Sequence, residues 1–234
     1  MNEQAPTPSP LPLLPEQMVR LIPLALDIDK AQVSGLAWHG DHLIILPQYP
    51  NWEGTPGDGC VQVLDRAAIQ AFLYGISDNP VVPREIPLIT SGLEANIPGF
   101  QGYEAIAIVG DRVFVTVEAE PEHHKMMGYI VAGTVESDAG GLSAIRLHSD
   151  TLVSIRPQAH VPNASYETLV YTGNRLIAIY EANGVNVNPQ PEAYVLDLEF
   201  NHLDTIPFPH LEYRITDATP TDEQGRFWAI NYYW

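Results

Sequence analysis

The chain has 234 residues, enough for one all-β domain with a sizeable core or for two small domains. Its 11 Lys and Arg against 29 Asp and Glu give a net charge of −18, which argues against a nucleic-acid partner and suits metal cations, cationic ligands or simply a self-repelling surface. One cysteine, Cys60, leaves no intrachain disulfide, and no apolar run reaches membrane-spanning length.

In chain order, a Pro-rich stretch reading APTPSPLPLLP predicts a disordered tether over residues 1–18, followed by one folded domain over 19–234. The start lacks the basic and apolar parts of a secretory signal. Such tethers nevertheless often separate an anchor or leader from a domain, which tips the expected location slightly toward extracytoplasmic. Residues 21–24 then form a short strand signal carrying Pro23. Residues 33–48, VSGLAWHGDHLIILPQ, read as a β-hairpin about Gly40-Asp41. A loop over 49–59, a strand over 61–64, one short helix over 66–74 with Asp65 as its N-cap, and a second proline-marked strand at 85–88 follow.

The clearest element is residues 103–118, YEAIAIVGDRVFVTVE. Two β-branched, nearly continuous apolar runs predict strands buried on both faces, and Gly110-Asp111 predicts a tight turn between them. Glu104 and Glu118 flank the open end. A two-residue turn places them diagonally and a three-residue loop directly opposite, so either register brings like charges together. An acidic loop at 119–126 carries His123 and His124, a strand covers 128–135, a Gly-rich turn covers 138–141, and residues 154–157 give a third proline-marked strand.

Residues 166–181, YETLVYTGNRLIAIYE, restate the hairpin, with Glu167 and Glu181 at the equivalent places. After an Asn-rich loop at 182–192, a strand at 193–198 and a fourth proline-marked strand at 205–208, a last copy starts at residue 215 and carries Asp217. Repetition at this period, with two inner strands, a third strand and a proline-marked edge, predicts an all-β β-propeller of four-stranded blades, three complete and one partial. The unbalanced ends of the chain lead us to expect a fragment of a five- or six-bladed ring, with a four-bladed ring left open. Pro23, Pro87 and Pro207 should then lie on outermost strands.

First strands line the channel of a propeller, so Ser34, Glu104, Glu167 and Asp217 should converge, with Glu118 and Glu181 in a second ring. No Lys or Arg neighbours them in sequence, and oxygen-only donors indicate a divalent cation, calcium before zinc. The same carboxylates could instead satisfy backbone N–H groups of neighbouring blades. Adjacent histidines usually point apart, which weakens metal chelation by His123 and His124. As catalytic candidates they are the best-placed general bases, lying close in sequence to Glu118.

An acidic residue opening an apolar strand, a Gly-Asp turn and a strand ending in Glu resemble the phytase-like or esterase-like propeller families, and are similar to the calcium-dependent lactonase group typified by regucalcin and gluconolactonase. That resemblance implies a calcium ion on the channel axis held by Glu104, Glu167 and Asp217, and hydrolysis of small esters, lactones or phosphoesters. The other expectation is a non-catalytic extracytoplasmic binding or scaffold propeller that presents Tyr49, Trp52 and His123 to a protein partner.

Overall fold

The computed structural model describes residues 21–25, 32–52, 55, 57–159, 161–201 and 203–232. The expected tether over 1–18 lies outside them. The described residues are mostly β, 51% strand and 7% helix, and their sheet is nearly closed. Four strands, β1 (Val33–His39), β2 (His42–Pro47), β3 (Cys60–Asp65) and β4 (Arg84–Ile89), form an antiparallel run. The helix α1 (Arg66–Leu73) follows β3 directly. Asp65 occupies its N-cap position without a capping bond, because its carboxylate accepts instead from His42 Nδ1 at 2.9 Å.

The predicted central hairpin is β5 (Phe100–Val109) and β6 (Arg112–Glu122), and the long β7 (Lys125–Asp138) follows. The Gly-rich turn leads into a strand that the sequence pattern did not announce, β8 (Gly141–Leu147). The third proline-marked stretch contributes β9 (Val153–Ile155). β7 is long enough to pair with β8 along its second half and with β9 along its first. A further antiparallel run joins β10 (Thr168–Tyr171), β11 (Arg175–Ile179), β12 (Glu192–Asp197) and β13 (Leu203–Pro207), and the last hairpin is β14 (Arg214–Ala218) with β15 (Ala229–Tyr232).

The proline expectation holds for Pro207, on the outermost strand of its run. Pro87 sits on β4, the last strand of the first run but not a free edge, since Leu88 and Ile89 pair in parallel with β8. Pro23 is on no sheet. Its carbonyl accepts from the N–H of Val81, and Ala25 N–H donates to the Val81 carbonyl. Ile22 and Leu24 therefore pack beside the first run, against Ile45, Leu64 and Val81, rather than completing the last one.

The double-faced burial of the central hairpin is as the apolar runs predicted. Tyr103, Ile106, Val113, Val115 and Val117 pack toward the first run, in a core with Ile44, Leu46, Val61 and Val63. From the opposite face, Ala105, Ala107 and Phe114 meet Leu169, Leu176, Ala178 and Tyr180 of the β10–β13 run. A fully buried aliphatic or aromatic side chain of this size contributes roughly 1.5–3 kcal/mol relative to exposure. The first strands β1, β5, β10 and β14 touch in succession, and β14 touches β1 again. Leu36 N–H donates to Asp217 Oδ2 at 3.2 Å across that last contact.

Tyr103 and Tyr166 are fully buried packing groups whose hydroxyls turn away from the inner strands, Tyr103 to Glu94 and Tyr166 to the Arg156 carbonyl. Cys60 is buried, and burial with the nearby Glu85 charge pushes its thiol up to about 12, so it stays an unreactive packing group.

Candidate functional site

The like-charge convergence predicted from the hairpins is present, and it has a local cause. The two-residue turn at Gly110-Asp111 sets Val109 opposite Arg112, a register that alone would put Glu104 opposite Val117 and turn Glu118 to the other face. An extra residue on β5 between the Tyr103–Val117 and Ile106–Val115 pairs interrupts the ladder at Glu104-Ala105. Ala105 N–H donates there to Thr116 Oγ1 at 2.8 Å, and that hydroxyl donates on to the Tyr166 carbonyl at 2.7 Å, tying the bulge to the next repeat. Glu118 pairs with Gly102, diagonal to Glu104. Gly102 has φ 147°, and a Cβ there would come 2.4 Å from Gln48 Cγ. Its lack of a side chain lets Gln48 lie across the strand and donate from Nε2 to Glu104 Oε1 at 3.0 Å.

From the next repeat come Glu167, just before β10, and Glu181, just after β11. Glu181 is wholly buried and accepts from Ser165 N–H at 3.0 Å. The expectation that no cation neighbours these carboxylates is overturned. Arg214, at the start of β14, forms a salt bridge with Glu181, lies 4.0 Å from Glu167 and also donates to the Asn163 carbonyl. Sequence proximity did not reveal it, because the guanidinium arrives from another repeat. The one signal was an isolated arginine at the head of the last repeat in a chain this poor in cations.

Burial acts on Glu104, Glu118, Glu167 and Arg214. It raises Glu104 well above the usual carboxylate range, with the charge of Glu118 adding to the effect. Glu118 is pushed up to about 7 by burial and then by Glu181. Glu167 is raised by burial, by the charges of Glu181 and Glu104, and by its hydrogen bond to Glu181. Burial opposes the charge on Arg214, but its pairing with Glu181 and the charge of Glu167 outweigh that and hold it protonated. Tyr49, partly exposed, has its hydroxyl raised by burial and by the charges of Glu104 and Glu118, which places it at the solvent side of the cluster.

Asp217 does not join them. One of its oxygens accepts from Leu36 N–H and the other from its own neighbour, Ala218 N–H, at 2.8 Å. Burial raises it to about 6 against the pull of those two bonds, and no charge of the cluster acts on it. Asp217 thus follows the backbone-satisfying alternative. Ser34 contributes no carboxylate and donates to the Gln32 carbonyl.

Calcium requires oxygens gathered at 2.3–2.6 Å around one centre, hence within about 5 Å of one another. Among the described residues, no three of Glu104, Glu118, Glu167, Glu181 and Asp217 bring carboxylate oxygens within 4.8 Å of one another. Arg214 already supplies positive charge to Glu181. The donors have the right chemistry but not the spacing, and the residues present do not fit a ready calcium site.

His123 and His124 form the two-residue turn between β6 and β7. His124 has φ 61°, and its N–H donates to Glu120 Oε1 at 2.6 Å. Strand alternation does not apply on such a turn, so the expectation that the rings point apart is corrected: their centroids are 3.7 Å apart. Both side chains are exposed and gather on Glu120, not on the Glu104 cluster. Surface depressions lined by Arg175, Asp197 and Asp204, and by Arg112, Asp150 and Glu199, lie away from both groups.

Among the solved structures that resemble the chain are two enzymes. A glucose dehydrogenase superposes with TM-score 0.47 at 12% identity, over 86% of this chain and 57% of that one. A Bombyx mori GH32 β-fructofuranosidase mutant in complex with sucrose superposes with TM-score 0.47 at 14% identity, over 90% of this chain and 45% of that one. The chain thus spans about half the length of each. No protein-family model matches it, and no curated protein sequence matches it.

Proposed function

We propose that the chain is a β-propeller, with β1–β4 and β10–β13 as four-stranded blades, the β5–β9 repeat as a third and β14–β15 as a partial one. Its inner-strand cluster of Glu104, Glu118, Glu167, Glu181 and Arg214 acts as a hydrolytic acid–base centre on small esters, lactones or phosphoesters. The observation that carries this reading is the Arg214 guanidinium set between Glu181 and Glu167 beside two further buried carboxylates. Such a group of ionisable side chains in unlike environments is what acid–base chemistry requires.

In this reading Arg214 stabilises negative charge that develops on the carbonyl or phosphoryl oxygen. Glu167, held protonated, donates a proton to the leaving oxygen. Glu118 takes the proton of the attacking water, and Gln48 and Glu181 keep Glu104 and Arg214 in place. The buried hydroxyls of Ser165 and Thr168, close in sequence to Glu167, have no hydrogen-bond partner among the described residues.

The competing reading is a non-catalytic binding propeller, in which the same network staples repeats together and Tyr49, Trp52 and His123 meet a partner. It is favoured by the fact that Arg214 links β14 to the ends of two other strands. A panel of ester, lactone and phosphoester substrates tests the choice. We expect turnover in one class that falls by about 10²–10⁴-fold in Glu118→Gln and in Glu167→Gln. No turnover across the panel, or turnover that both variants leave intact, would sink the hydrolase. Activity lost to chelator and restored by calcium but not by zinc would instead assign calcium to the carboxylates.

A further inference from the structure

The β6–β7 turn gathers a second set of donors that the acid–base centre does not use. Glu120 Oε1 lies 3.5 Å from His123 Nδ1, and one ligand atom from each of Glu120, His123 and His124 lies within 4.8 Å of the others. A tetrahedral zinc ion with bonds of about 2.0–2.1 Å holds its ligand atoms roughly 3.3 Å apart. The Glu120–His123 pair is therefore already spaced as an edge of that tetrahedron. His124 offers the third ligand atom from an exposed ring.

The carboxylate is fixed before any ion arrives. Its second oxygen accepts from Gln101 Nε2 at 2.8 Å, and its first from His124 N–H. The backbone beneath it is fixed too, because Glu120 N–H donates to the Gly99 carbonyl at 2.7 Å, and a Cβ on Gly99 would come 2.1 Å from the Glu120 carbonyl oxygen. The neighbouring charges do not compete, since Lys125 is paired with Glu122 across the turn. Two imidazoles and one carboxylate prefer a borderline transition-metal ion to calcium.

We infer that Glu120, His123 and His124 form a three-ligand site for a divalent transition-metal ion of the zinc class, with a fourth position open to water. A histidine-to-metal bond requires a neutral ring, so protons compete with the ion as pH falls below the ordinary histidine range.

The test uses the full chain without an affinity tag, titrated with zinc against a chromogenic chelator and with cobalt followed by its visible absorption. We expect one equivalent to bind, with an intense tetrahedral cobalt spectrum, and affinity to fall roughly tenfold or more in each of Glu120→Gln, His123→Ala and His124→Ala. His39→Ala and Glu118→Gln should bind as the parent does. Glu118→Gln separates this site from the acid–base centre, which can fail without it. Absence of binding, or a site that survives His123→Ala combined with His124→Ala while circular dichroism shows both proteins folded, would overturn the inference.

Discussion

Glu118 and Glu120 stand two residues apart on β6, and they titrate in opposite directions. Glu118 is buried among Glu104, Glu181 and Arg214, and burial pushes it up to about 7. Glu120 is lowered by the His124 N–H and Gln101 that donate to it, with the two histidines adding their charge. The same side chain holds its proton up to near pH 7 in one place and gives it up more readily in the other. What separates them is the end of the ladder: the regular β6–β7 pairing reaches Ala119–Met127 and then breaks before the turn.

The comparison breaks most severely at Arg214. Replacing it with Met leaves Glu181, which has no exposed surface, without its ion-pair partner, and we expect a loss of about 3–5 kcal/mol in chemical denaturation. The equivalent change in the turn, His123→Ala, should cost less than about 0.5 kcal/mol. Equal losses would mean that the buried cluster is not the tighter of the two.

The pH dependence of stability sharpens the contrast next. The folded state raises Glu118 from an ordinary 4.5 to about 7. Its contribution is fully present below pH 4.5 and is lost as pH rises through 7, a change on the order of 3 kcal/mol. Glu104 and Glu167, raised as well, act in the same sense. Melting temperature should therefore fall between pH 5 and pH 8, and Glu118→Gln should flatten that slope. Glu120→Gln should not, because a lowered carboxylate acts with the opposite sign.

A smaller effect is expected at Gly102. Alanine there must displace Gln48 and adopt φ 147°, costing about 1–3 kcal/mol. It should also raise the apparent titration point of Glu104, followed by carboxyl resonances, because the Gln48 hydrogen bond is the larger of the two influences that lower it, the charge of Arg214 being the other. The smallest effect belongs to Glu122→Gln, which removes an exposed pair with Lys125 and should change stability by about 0.5 kcal/mol or less.

The hairpin at residues 103–118 was legible because everything that specifies it is local: a two-residue turn, apolar runs long enough to be buried on both faces, and glutamates at a fixed offset from Gly110. The restated hairpin at 166–181 was legible on the same grounds. What eluded sequence reasoning is nonlocal. β8 follows two glycines and reads as the continuation of a turn, yet it forms by pairing with β7 on one side and β4 on the other. Asp217 matched Glu104 by repeat position, but backbone donors from Leu36 and Ala218 claim its oxygens. Arg214 lies 33 residues from the carboxylate it pairs with, a relation set by how repeats stack and not by spacing within one.

The parallel joint at Leu88–Ile145 and Ile89–Arg146 makes a single hydrogen-bonded ladder of the first two repeats, whereas the β10–β13 and β14–β15 sheets are separate ladders that meet it through side chains and a few loop bonds. Amide hydrogens are released when a cooperative unit opens, and a shared ladder opens as one. In native-state deuterium exchange, Val61, Val63, Val115 and Ile145 should consequently exchange at one common rate with one denaturant dependence. Leu176 and Val195, in the separate sheet, should follow another, and the amides of β15 should be the first to go.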